Sequence, residues 1–131
     1  MERLTFRKEE RLCSQRQIDE LYAEGQRFLV FPFSVQWKVV DNADQLCQVM
    51  IVAPTRKLRH AVDRNRMKRL MRESYRHNKS SLYDSLNETG RHLNVAIVYV
   101  NKDLMTFKQV NERMKKVLLR LQDEVKKPVG S

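Results

Sequence analysis

Between Arg56 and Lys79, 24 residues hold ten basic side chains (Arg56, Lys57, Arg59, Arg64, Arg66, Lys68, Arg69, Arg72, Arg76, Lys79) and two acidic ones, Asp63 and Glu73. A net +8 in so short a stretch restricts what it can fold into, and a helix with two faces accommodates it. At about 100° per residue with Arg64 as zero, Met67, Leu70, Met71 and Ser74 fall between roughly 240° and 340°, and Lys68, Arg72, Asn65, Arg76 and Arg69 between roughly 40° and 140°. Arg64 and Tyr75 mark one boundary and Arg66 the other. Residues Ala61 to Tyr75 are therefore expected to form an amphipathic helix, apolar stripe inward and cationic face outward. The cationic face opposes its own folding, because like charges four residues apart (Arg64 with Lys68, Lys68 with Arg72, Arg72 with Arg76) repel by roughly a few tenths of a kcal/mol each. Only Glu73 interrupts them. A merely solvated face would intersperse acids, and the planar fork of Arg suits bidentate phosphate contact and stacking on exposed bases. Nucleic-acid backbone is the natural ligand.

Elsewhere the charge nearly balances. The whole chain has 131 residues, 26 Lys and Arg against 16 Asp and Glu, and a net charge of +10, so the remaining 107 residues contribute only +2. That length suits one domain, and 41% hydrophobic residues with three Gly and three Pro argue for a packed core over disorder. Residues 1–125 are read as one RNA-binding domain and 126–131 as a frayed tail. Charges interrupt every apolar pair from Met1 to Leu12, so no signal-peptide core is expected. The longest apolar stretches, Phe28 to Trp37 and Val95 to Val100, fall short of the roughly 18–20 residues a membrane span requires. No membrane association is expected. Cys13 and Cys47 lack metal-ligand spacing and are read as reduced thiols of a cytoplasmic protein, Cys47 as a small buried residue.

Around the basic helix the pattern is mixed. Ser14 opens a short helix with Ile18, Leu21 and Tyr22 at helical spacing, and Gly25 is placed to stop it. Phe28 to Val40, with the alternation Phe33, Val35, Trp37, Val39, predicts a short strand before a longer one, divided by Pro32. Asp41 to Asp44 is turn chemistry, after which Leu46 to Ala53 is expected to return as the second strand of a hairpin, closed by Pro54. Asn94 to Val100 is apolar enough to be a central strand. Lys108 to Val125 carries Val110, Met114, Val117, Leu118 and Leu121 at helical spacing. Trp37 is expected in the core.

The string AVDRNRMKRLMRESYR, Ala61 to Arg76, closely resembles the signature of the bacterial ribonuclease P protein component: an Arg-Asn-Arg core, then Lys-Arg and a further Arg. Arg64-Asn65-Arg66, Lys68-Arg69 and Arg72 stand in those places. Phe6, Arg11-Leu12 and Gly25 resemble the family's N-terminal helix region, and Val95 to Val100 its late hydrophobic strand, so the resemblance spans nearly the whole chain. It implies an α+β fold, a ribosomal-protein-like αβββαβα sandwich in which the signature helix lies in an unusual left-handed β-α-β crossover. It also implies a function, that of a small protein bound to a large catalytic RNA, together hydrolysing the phosphodiester bond that frees the 5′ leader of precursor tRNA. The RNA would hold the catalytic magnesium ions, the protein would bind no cofactor of its own, and no obligate protein partner is implied. The scattered His60, His77 and His92 and the lack of a carboxylate cluster agree that no catalytic or metal-ligating residue is expected in this chain.

Two surfaces carry over. Arg64, Asn65, Arg66, Lys68, Arg69 and Arg72 would face the RNA subunit, with Asn65 bonding a sugar, a base edge or a hydrated metal ion. A cleft between the first helix and the sheet would accept the single-stranded leader. Ile18 and Tyr22 stand where the family often has two aromatics, and Gln36 where one can occur on the first long strand. Tyr22 can stack on a base while Ile18 and Gln36 stack weakly, so sequence-tolerant leader contacts are expected. For Ile18, plain core packing is an equal alternative. The loop Ala53 to His60 is longer than the family's short basic connection, and Arg56 and Lys57 take the place of its basic pair. A ribosomal-type protein packed on folded RNA could use the same helix, although the full signature favours the first reading. A helix-turn-helix DNA regulator lacks its partner helix upstream of Ala61.

Overall fold

The computed structural model describes residues 8–40 and 45–126. The elements run α1 (Gln15–Glu24), β1 (Gln26–Val30), β2 (Phe33–Val40), β3 (Cys47–Val52), α2 (Ala61–Asn78), α3 (Ser80–Thr89), β4 (His92–Tyr99) and α4 (Phe107–Lys126), preceded by a 3-10 turn at Lys8–Glu10. The expected sandwich is present, with α3 added between α2 and β4. Phe6, the turn 41–44 and the tail 127–131 lie outside the described residues, and Lys126, assigned to that tail, is the last residue of α4.

The four strands are ordered β1-β2-β4-β3. β1 and β2 are the expected short strand and longer strand and pair antiparallel with each other, and β2 also pairs antiparallel with β4. The expectation for Leu46 to Ala53 is corrected: β3 is not the hairpin partner of β2 but pairs parallel with β4, Cys47 opposite Leu93 through Val52 opposite Val98. The reason lies in β4. Leu93 to Ile97 are all buried, on both faces of the sheet, so this strand fills the centre and separates β2 from β3.

Adjacent parallel strands need a crossover, and its hand follows from one hydrogen bond. Seen from the side of α2 and α4 with β4 running upward, the Leu93 side chain points at the viewer, where it joins the helical core. An L-residue so posed sends its N–H and C=O to the right. The Leu93 N–H donates to the Leu46 carbonyl at 2.9 Å, which puts β3 on the right of β4. The chain climbs β3, passes through α2 and α3 in front, and re-enters the sheet to the left. The crossover is left-handed, against the usual preference.

Side-chain alternation divides the sheet. Val35, Trp37, Val49, Val95 and Ile97 face the helical layer, where Met67, Met71 and Tyr75 of α2, Leu82 and Leu86 of α3, and Val110, Met114, Val117, Leu118 and Leu121 of α4 complete the main core. On the other face α1 sets Leu21 and the partly buried Ile18 against Leu12, Ala96 and Met50. Ser14 caps α1 as expected, its hydroxyl accepting from the Gln17 N–H. Gly25 ends it for a different reason from a left-handed turn. Its φ is −72°, and an added Cβ would meet the Leu21 carbonyl at 2.4 Å and the Trp37 carbonyl at 3.0 Å. Gly90, by contrast, closes α3 at φ 68°.

The N-terminal segment extends the sheet past β3, with Arg11 bridging to Val49 and the Leu12 N–H donating to the Val49 carbonyl at 3.0 Å. A buried polar chain anchors it. Lys79, between α2 and α3 and 1% exposed, meets the Glu10 carboxylate at 2.5 Å. The Tyr83 hydroxyl donates to the same oxygen at 2.6 Å and lies 3.1 Å from the Tyr75 hydroxyl, which donates to Cys47 Sγ at 3.6 Å. Tyr75, placed on the polar boundary by periodicity, is thus fully buried, because its hydroxyl finds partners inside.

Lys79→Met strands the buried Glu10 carboxylate and should cost about 3–5 kcal/mol in urea unfolding, with Glu10→Leu added to it recovering much of the loss. A loss below 1 kcal/mol, on the scale of an exposed pair of roughly 0–1 kcal/mol, would contradict this anchor. Burial also pushes the Cys47 thiol up to about 12 and raises the Tyr75 and Tyr83 hydroxyls well above their ordinary value. A raised folded value stabilises fully below the unfolded one and fades as pH climbs toward the folded one. The urea midpoint should therefore begin to fall near pH 9.0, the ordinary value of the thiol, and keep falling toward 12; a midpoint that is flat or rising across that range rejects the assignment.

Candidate nucleic-acid interface

The apolar stripe of α2 forms as the wheel requires. Met67, Met71 and Ser74 are fully buried and Leu70 packs half-buried against the core, so the rotation of the helix is set and the basic side chains are turned outward. Asn65, Arg66 and Arg69 are exposed, while Arg64, Lys68 and Arg72 are half-buried along their stems, in keeping with long cationic side chains that cover apolar surface and keep their charge in water. The helix extends past Tyr75 to Asn78, whose amide bonds Asn111 of α4 at 2.7 Å.

Most of this charge is uncompensated. Among the described residues no carboxylate forms an ion pair with Arg56, Lys57, Arg66, Lys68, Arg69 or Arg72. Glu73, the acid within the basic run, is taken by Arg76, with bonds of 2.9 and 3.1 Å to its two oxygens. That hydrogen bonding holds the Glu73 carboxyl below its ordinary value. The acid thus neutralises Arg76 and none of the basic residues at the signature positions Arg64, Arg66, Lys68, Arg69 and Arg72.

Arg64 has a structural duty that spacing alone does not reveal. One of its terminal nitrogens donates to the Leu58 carbonyl at 2.9 Å and the Arg59 carbonyl at 2.8 Å. It thereby fastens the loop before α2, which has no side-chain cap of its own at His60. The exposed Arg56 and half-buried Lys57 stand on that loop, between Ala53 and Leu58, which are both buried. The loop is therefore held at both ends and keeps two further cations beside the N-terminal turn of α2.

The residues expected at the second surface all belong to the α1 side of the sheet. Tyr22 is 45% exposed and one turn beyond Ile18, which packs into the small core beneath α1. Gln36 lies on the β2 surface facing α1, opposite Ala96 on β4 and Arg27 on β1. It is 7% exposed, and its carboxamide makes no hydrogen bond to any described residue. A diagonal neighbour on the same face, Asn94 of β4, shares this condition at 3% exposed. Sequence reasoning missed Asn94, although a carboxamide at the head of an otherwise apolar strand is a visible anomaly. Trp37 is core, as expected, and Cys47 is buried while Cys13 is exposed, both as free thiols.

Among the described residues, no three His, Cys, Asp or Glu side chains are grouped so as to hold a metal ion, and no helix is long and apolar enough to cross a membrane. What the arrangement offers is a fixed row of unpaired cations on one layer and a polar floor beneath α1 on the other.

Comparison with known proteins gives a consistent answer. The family described as Ribonuclease P matches residues 6–122. A ribonuclease P protein component from Porphyromonas gingivalis is 36% identical over 119 residues, covering 90% of this chain and 87% of its relative. That of Chlorobium phaeobacteroides is 28% identical over 125 residues, covering 87% and 86%. Among solved structures, the RNase P protein of Staphylococcus aureus superposes with a TM-score of 0.68 at 23% identity, covering 85% of this chain and 94% of that one. The Thermotoga maritima protein gives 0.67 at 23% identity, covering 85% and 96%. A match over most of the chain, with curated relatives and the same fold, places it: the chain belongs to the ribonuclease P protein family.

Proposed function

We propose that this chain is the protein subunit of ribonuclease P, acting in tRNA 5′ maturation. In this reading the outward face of α2 binds the catalytic RNA and the α1 side of the sheet takes the 5′ leader of precursor tRNA. The observation that carries it is the set of six cations on α2 and its preceding loop without a carboxylate partner among the described residues, on a helix whose rotation is set by the buried Met67, Met71 and Tyr75. A helix docked this way needs no refolding when its cations meet phosphate, and each contact formed releases counterions from the RNA. Arg66 and Arg69 are fully presented for such contacts, and Asn65 between them can bond a sugar, a base edge or a hydrated metal ion.

Chemistry is assigned to the RNA with its magnesium ions. The protein's part is to bind, orient and tether, which raises the effective concentration of substrate at the catalytic RNA without a nucleophile or base of its own. Its place of work is the cytoplasm.

Addition of the protein to the cognate catalytic RNA at low magnesium should stimulate leader removal from precursor tRNA. Folded protein with intact RNA and no stimulation would sink the proposal. Arg69→Ala should weaken assembly with the RNA and lower the slope of log K against log salt by about one unit. Arg64→Ala should weaken it more, because the Leu58 and Arg59 carbonyls are released and Arg56 and Lys57 lose their fixed position. Equal affinity and slope for wild type and both variants would reject the assignment of this face.

A further inference from the structure

We infer that the cavity where α2, α3 and α4 meet receives one unstacked nucleotide of the bound RNA subunit, its base inside and its phosphate on Lys115. This rests on the outward face of α2 being the face that meets that RNA, and it adds a pocket for a single base to a surface otherwise read as recognising charge.

The cavity measures about 260 Å³ and is lined in part by His77 at the end of α2, Ser80 and Ser81 at the start of α3, and Lys115, Leu118 and Leu119 of α4. That is below the roughly 300–1,000 Å³ of pockets for drug-sized ligands, and so suits one ring system rather than a larger molecule. Two bridges tie α4 to the other helices: the Asn78 amide to Asn111 at 2.7 Å, and the Ser85 hydroxyl to Gln122 at 3.5 Å. The stretch of α4 that lines the cavity runs between them. The His77 ring is braced edge-on by Phe107 at 6.2 Å. Its Nε2 lies 3.2 Å from Nη2 of Arg76, so the rim adjoins the outward face of α2.

The lining suits a base and its phosphate together. No described carboxylate lines the cavity, although α3 and α4 carry Asp84, Glu88, Glu112, Asp123 and Glu124. Lys115 is exposed and forms no ion pair with any described residue. Leu118 is buried and Leu119 beside it is 52% exposed. A lone exposed leucine needs no explanation. One that lines a cavity with an unpaired lysine four residues before it sets an apolar surface and a charge within reach of one nucleotide. Hydrogen-bonding groups are at hand too. The Ser80 and Ser81 hydroxyls bond no described residue, and Gln122, also in the lining, uses only its carbonyl oxygen, on Ser85. A lone anion would leave the two leucines wet, and an apolar side chain from a protein partner would leave the lysine and the hydroxyls unused. RNA supplies the combination when an unpaired base is splayed out of its stack.

The test uses the full-length protein assembled with its cognate catalytic RNA and probed with dimethyl sulfate and a carbodiimide, which between them report the pairing edges of all four bases. At saturating wild-type protein, one nucleotide that is reactive in the free RNA should become shielded. Ser81→Trp and Leu119→Trp fill the cavity from α3 and from α4. At saturating concentrations of either variant that nucleotide should regain its free reactivity while other shielded positions stay shielded, and Kd for the RNA should rise about tenfold. Lys115→Ala should lower the slope of log K against log salt by about one unit. All three side chains are exposed, so thermal midpoints should match wild type. If the protein assembles with the RNA but shields no unpaired base, or shields one that either filling variant leaves shielded, the pocket is overturned and the α2 interface stands. An unchanged slope in Lys115→Ala, or midpoints that drop in both filling variants, overturns it too. If wild-type protein and RNA do not assemble, the interface and the pocket fall together.

Discussion

Everything in this fold turns on β4 being paired along both edges, antiparallel to β2 and parallel to β3. A strand whose middle is buried on both faces cannot sit at the rim of a sheet without leaving backbone groups and apolar side chains exposed. Seating it in the centre makes β3 its parallel neighbour, and a parallel neighbour cannot be reached by a tight turn. The chain must leave the sheet and return, and α2 and α3 are that excursion. The most highly charged helix of the protein is therefore also its topological crossover. It cannot be removed or rotated without unseating the central strand.

That coupling explains how a helix with so little internal charge compensation holds together. Repulsion along Arg64, Lys68 and Arg72 works against α2 in isolation, and short helices depend on tertiary packing more than on propensity. Here the packing is dense: Met67, Met71, Ser74 and Tyr75 have no solvent exposure. At the far end Lys79 turns inward to Glu10, so the last cation of the basic run serves the interior while those before it face out. Glu10 belongs to the N-terminal turn, which is pinned to the outer edge of β3. The N-terminal segment, the edge strand and the crossover thus share one anchor.

How much of this could be read from the residues depended on whether the information was local. The inward stripe of α2, the α1 cap at Ser14, the division at Pro32 and the period of α4 are matters of neighbours a few positions apart, and each is found where the pattern puts it. The partner of β3 is not such a matter, since Cys47 to Val52 alternate as a strand would in either pairing. Tyr75 falls on the boundary of the wheel by angle alone, whereas its burial depends on Tyr83 and Cys47 meeting its hydroxyl. α3 went unread because Ser80, Ser81, Asp84 and Ser85 dilute the spacing of Leu82, Tyr83 and Leu86. The left hand of the crossover entered only through family resemblance, and the structure supplies a reason in the direction of the Leu93 N–H. At the interface, the outward cations of α2 were legible from the wheel, but the fastening of the loop by Arg64 and the unpartnered state of Asn94 exist only in three dimensions.

The two faces of the sheet set different physical demands, and the chain meets them with different chemistry. Toward α2 and α4 the alternate residues are apolar and seal a core. Toward α1, whose ten residues cover part of the opposite face, they include Arg27, Ser34, Gln36, Lys38, Gln48 and Asn94. A polar group on a partly covered sheet is costly only when it loses both water and a protein partner; Gln48 keeps the Glu9 carbonyl, Lys38 keeps Glu24 and Arg27 stays exposed. The cations of α2 carry no such penalty, because they remain in water. One layer therefore suits a ligand recognised by charge, whatever its sequence, and the other offers a mixed polar and apolar surface. Since β4 lies under both, the distance between the two surfaces is fixed by a single strand and its packing, and under the proposed function a leader held on one would be presented to an RNA held on the other without a hinge between them.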